Sequence, residues 1–136
     1  MVRTMRTVVL AGHVQRSNGT EKTVCATACL TSLGIPVGAF RNTWNGRRNT
    51  WDGVLRRNGY AVRSRLSQLP KGCTVGKARK LIAARISQRD PAGTRYLIAV
   101  PGHLIMLNAQ GQTVVDTSPR KRDRRRVTLL VAVFPK

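Results

Sequence analysis

Acidic residues are the scarcest feature of this chain. It has five, against 25 lysines and arginines, for a formal net charge of +20 over 136 residues. A catalytic site does not by itself require such an imbalance. It implies a polyanionic neighbour: nucleic acid, an anionic membrane face or an acidic protein, with nucleic acid favoured on charge. Cysteine is also scarce, and its three residues (Cys25, Cys29, Cys73) are an odd number for a disulfide framework. A reducing compartment is the simpler reading. Long apolar runs are missing. The run at residues 7–12 is too short for a signal-peptide core or a membrane span, so the expectation is a protein kept in a cytoplasm or packaged from one. Aromatic side chains make up only 4% of residues, so at least one of Trp44 and Trp51 is expected in the core. Neither a phosphate-binding Walker loop nor a dinucleotide fingerprint is present.

Hydrophobic residues make up 41%, enough for one globular domain over residues 1–136. A short N-terminal arm (1–12) and a basic loop (119–126) flank it. The pattern predicts a helix from Val24 to Leu33, capped by Thr23 and ended by Gly34 and Pro36. A second helix is expected over residues 51–57, capped by Thr50 and stopped by Asn58-Gly59. Residues 60–65 alternate like an edge strand. Thr74 caps a third helix with Val75, Ala78, Ile82 and Ile86 on one stripe, widened by Leu81. Strands follow at 95–100, 103–108, 112–117 and 127–134. Ala109-Gln110-Gly111 forms a hairpin turn between the second and third of these. The first two are near-continuous apolar runs and should be central. This order predicts an α+β fold with N-terminal helices packed on a C-terminal antiparallel sheet.

Three residues in this layout could carry chemistry. Cys25 falls in the first turn of the first helix, where unpaired N–H groups and the helix dipole favour a thiolate. The same amides can donate to an oxyanion. Cys29, one turn further in, reads as a small buried thiol. His103 follows Pro101-Gly102 and opens an apolar strand. Asp116 lies near the end of the partner strand, within a residue or two of opposite His103, with a register that depends on a bulge at Gly111. An acid there can orient the imidazole, and its alternative use is a salt bridge to nearby arginines.

The segments TVCATACL (23–30), GTRYLIAVPGHLIM (93–106) and VVDT (114–117) resemble the small papain-like cysteine-hydrolase-fold proteins of tailed bacteriophages. With the helix between them they span residues 20–134. The resemblance implies a papain-like fold and a peptidase or amidase acting through an acyl-enzyme. Cys25 would be its nucleophile, His103 its base and Asp116 its orienting residue. It also implies a location in the host cytoplasm or the virion, with a virion or host protein as a further partner. Six residues before Cys25, where papain-like enzymes commonly carry a glutamine as oxyanion donor, this chain has Gly19. Asn18 and Gln15 are the nearby substitutes.

The charge supports a rival expectation. Arg120, Lys121, Arg122, Arg124, Arg125 and Arg126 crowd one loop around a single acid, and Arg47 and Arg48 lie between the tryptophans. Arginines grip phosphate in a bidentate manner, and tryptophans can stack on single strands. A non-catalytic phage structural or nucleic-acid-binding protein would need only this charge, as would an inhibitor of a host nucleic-acid machine. Cys25 and Cys29 lack zinc-finger spacing, so no metal and no cofactor is expected.

Overall fold

A computed structural model of the chain describes residues 28–35, 51–116 and 122–136. The first helix, α1, is described over residues 28–32. It closes in a Schellman motif. The Ile35 N–H donates to the Leu30 carbonyl (3.3 Å) and the Gly34 N–H to that of Thr31 (2.9 Å). That closure requires Gly34 at φ 86°, a conformation that side-chain-bearing residues resist. The second helix, α2 (Trp51–Arg57), ends where Asn58 donates its backbone N–H and its side-chain amide to the Val54 carbonyl. Its last turn carries Arg56 and Arg57, which suit the negative end of the helix dipole. The third helix, α3 (Val75–Ala84), starts at Thr74, whose side chain accepts from the Lys77 N–H. Ile86, expected on the same helix, lies instead in a short 3-10 turn, Ile86–Arg89.

Five strands form one antiparallel sheet: β1 (Tyr60–Ser64), β2 (Arg95–Val100), β3 (His103–Leu107), β4 (Thr113–Val115) and β5 (Leu129–Pro135). Their spatial order is β1-β5-β2-β3-β4. The α+β class therefore holds. β1 is an edge strand as its sequence suggests, but its burial does not alternate: Tyr60, Ala61 and Val62 are all buried. β3 and β4 are shorter than their apolar patterns, and β5 starts two residues late. The last strand inserts between β1 and β2, pairing with both.

Helices do not simply precede the sheet, because β1 falls between α2 and α3. Nor do the helices share one face. Ala28, Leu30 and Leu33 from α1 and its turn, with Val54 and Leu55 from α2, pack against Leu97, Leu104, Met106 and Val131. On the opposite face Val75, Ala78 and Ile82 from α3 pack against Tyr96, Ile98, Ile105 and Leu130. Alternation along β2 and β3 produces the two sets, and each fully buried Leu or Ile contributes about 1.5–3 kcal/mol. The Tyr60 hydroxyl donates to the Leu33 carbonyl at 2.8 Å and ties β1 to the end of α1.

One buried polar cluster locks the α3 side. Asp90 accepts from Arg65 Nη2 and from the Tyr96 hydroxyl, both at 2.6 Å. Burial alone would raise the Asp90 carboxyl. The hydrogen bonds from Arg65 and Tyr96, with the Arg65 charge, outweigh it and hold the carboxyl below the usual range. The Tyr96 hydroxyl is pushed up, first by burial and then by Asp90. A carboxylate with a depressed folded pKa contributes stability above its unfolded value, near pH 4, and that stability is lost as pH falls through the folded value. Asp90→Asn should therefore lower stability at pH 7 by about 3 kcal/mol and flatten the loss of stability between about pH 5 and 2. Urea denaturation across that range reads both effects.

Candidate active site

The β2–β3 hairpin fixes His103. Val100 pairs with His103 across the two-residue turn Pro101-Gly102, and Gly102 sits at φ 81°. Proline followed by a glycine at positive φ is the residue preference of a type II turn. The turn anchors His103 as the first residue of β3, with its side chain only 2% exposed.

The β3–β4 hairpin brings up Asp116. Its turn closes through the Asn108 N–H to the Gln112 carbonyl (2.9 Å), and Asn108 Oδ1 accepts from the Gln110 and Gln112 N–H groups. Gly111 takes φ 78°, as the turn sequence requires. The register shift does not fall there. Leu107 pairs with Thr113 and Met106 with Val115, so Val114 is the extra residue. This correction matters for the site. An unbroken register would carry Asp116 opposite Leu104, but the shift carries it opposite Ile105, in phase with His103.

The two side chains meet. His103 Nε2 lies 2.7 Å from Asp116 Oδ1, and the acid is 19% exposed. A carboxylate only accepts, so Nε2–H is the donor and Nδ1 carries the lone pair in the neutral ring. Nδ1 is also closed off from solvent. Such a pair can orient an imidazole, fix its tautomer and stabilise its charged form. The structure thus brings Asp116 and His103 together.

Cys25 lies outside the described residues, as do Gln15, Asn18, Trp44, Arg47, Arg48, Arg120 and Lys121. The other two cysteines are poor nucleophile candidates. Cys29 is fully buried in the α1 face of the core. Cys73 is buried too, and burial raises its thiol despite the nearby Lys77 charge, while its Sγ–H donates to the Thr74 carbonyl. Among the described residues no cluster of His, Cys, Asp and Glu could hold a metal ion, and no helix is long and apolar enough to cross a membrane.

The basic segment is only partly a loop. Residues 122–126 are fastened to the start of α3: the Val75 and Gly76 N–H groups donate to the Arg125 and Asp123 carbonyls, both at 2.9 Å. Arg79 of α3 holds Asp123 at 3.0 Å and donates to the Gly111 carbonyl. The lone acid inside RKRDRRR is the sequence signal for this contact, although its partner lies on α3 outside that run. The chain matches no protein-family model, no curated protein and no solved structure.

Asp116→Ala deprives a buried imidazole of its acceptor and should destabilise the fold by about 1–3 kcal/mol. Asp116→Asn keeps an acceptor oxygen and should cost less. Urea midpoints of the two variants at pH 7 test the ranking.

Proposed function

We propose that the chain is a thiol hydrolase on the papain-like plan, a peptidase or amidase, with Cys25 as nucleophile, His103 as base and Asp116 as orienting residue. The observation that carries this reading is the 2.7 Å His103–Asp116 bond in a shielded position at the start of β3. A helix closed by Gly34 and packed on an antiparallel sheet supports the plan. In the reaction the Cys25 thiol gives its proton to Nδ1 and its sulfur bonds to the carbonyl carbon. The C–N bond then breaks as the imidazolium protonates the leaving amine. Water, deprotonated by the same nitrogen once departure of the amine opens Nδ1 to it, splits the acyl-enzyme and restores the thiol.

The reading sets a geometric condition. α1 packs on the face of Leu104 and Met106, while strand alternation assigns His103 to the face of Ile105. The thiol must therefore meet the ring around the end of β3 at Gly102-His103, where no further residue of that strand separates the faces. A glycine at that end leaves room for the approach.

An acyl-transferring thiol probe should label the native protein at Cys25 alone, since Cys29 and Cys73 are buried. Cys25→Ala should abolish labelling, Cys29→Ala should retain it, and Asp116→Ala should slow it by about 10²- to 10⁴-fold. Mass spectrometry of the labelled peptides decides it. Equal labelling of the Cys25→Ala and Cys29→Ala proteins would exclude the assignment.

The net charge favours a second reading, a basic protein that rests on nucleic acid through phosphate contacts, with or without hydrolysis. Its supporting observation is that Asp90, Asp116 and Asp123 are each engaged by an internal partner.

A further inference from the structure

The basic segment and α3 form one surface. Residues 123–127 run antiparallel to residues 73–76, joined by the Thr74–Arg126 bridge and by the Val127 N–H to the Cys73 carbonyl at 2.9 Å. The two backbones are in close contact: a Cβ on Gly76 would lie 3.3 Å from the Asp123 carbonyl oxygen. Arg79 neutralises Asp123, the only carboxylate in either segment. Around this seam Lys71, Lys77, Lys80, Arg124, Arg125 and Arg126 are all exposed. A solvated basic tail would have to order its backbone on binding. Here the backbone is already fixed by hydrogen bonds, so less entropy is lost when a ligand arrives.

We infer that this composite face, α3 with residues 122–126, is the surface on which the protein binds the phosphate backbone of double-stranded nucleic acid. The inference rests on the second reading above and gives it a location. Three features select a duplex over other polyanions. The cations include clustered arginines, whose planar forks match phosphate oxygens. Among the described residues the one large hydrophobic side chain that is exposed is Leu66, which lies outside both segments, so the face offers no apolar wedge for a lipid surface. α3 has ten residues and spans about 15 Å, a length over which a duplex presents roughly nine phosphate charges. Ala83 and Ala84 are exposed beyond Lys80 on the helix and are small enough to let a phosphate backbone come close. Contact of this kind reads no base sequence.

The test compares two charge-matched triple variants of the full chain on a 20-base-pair duplex of arbitrary sequence. Lys77→Gln/Lys80→Gln/Arg124→Gln removes three cations from the face. Arg57→Gln/Arg63→Gln/Lys136→Gln removes three exposed cations around the β1 edge of the sheet, outside both segments. Binding is measured by anisotropy from 25 to 200 mM salt, and folding of each variant by circular dichroism. The face variant should lose at least tenfold in affinity at 100 mM salt. Its slope of log K against log salt should become shallower by roughly 2–3, while the control stays within twofold of the parent. Equal losses in the two variants would overturn the location and leave the second reading standing. Absence of parent binding at 25 mM salt would overturn both. Equal or tighter binding of the parent to anionic lipid vesicles or to polyglutamate, matched in charge concentration, would overturn the choice of nucleic acid.

Discussion

The pairing of β2 with both β5 and β3 is the constraint on which the other elements depend. β2 is the middle strand of five, and its neighbours are the strand that directly follows it and the last strand of the sheet. Leu97 and Ile98 are both buried, one in each core. A strand covered on both faces cannot slip by one residue without exchanging its two cores, so its register is firmly specified. That register places the Pro101-Gly102 turn, and the turn places His103. The apolar burial behind it is nearly complete along β3, where all five residues are buried.

A single extra residue then decides whether His103 and Asp116 meet. Val114 shifts the β3–β4 ladder, and the shift brings Asp116 into phase with His103. Bulges redirect side chains in this way because strand alternation has a period of two, so one inserted residue turns everything after it to the other face. The bond that results joins a buried imidazole to a partly exposed carboxylate, and a buried polar group is costly to leave without a hydrogen bond. The same logic governs Asp90 with Arg65 and Tyr96, which ties the ends of β1 and the 3-10 turn to β2.

Charge is divided along the same lines. Three carboxylates in the described residues hold internal partners: one bonds a histidine, one locks a buried cluster, and one ties the basic segment to Arg79 of α3. Most other cations of the described residues face solvent, and docking turns a run of arginines into a surface of fixed shape. Gly111 belongs to this arrangement as well. A Cβ there would lie 2.4 Å from the Arg79 carbonyl oxygen, so only glycine lets α3 approach the hairpin that carries Asp116.

Periodicity and capping residues were sufficient to place α2, α3 and β2, the edge position of β1, and the stop at Gly34, because those signals are local. His103 and Asp116 could be singled out because a polar residue beside an apolar run is conspicuous in sequence. Sequence by itself also determined the imbalance of charge, since that is a count. Three things needed the tertiary structure. Which face of the sheet each helix covers depends on chain reversals, and apolar stripes on α2 and α3 look alike in sequence. The position of the bulge depends on how Val114 and Val115 pack against the core, and two adjacent valines fit either register. The docking of residues 122–126 rests on backbone groups of Val75 and Gly76, which no side-chain pattern reports. Local chemistry thus named the candidate residues, and long-range hydrogen bonding and burial decided which of them meet.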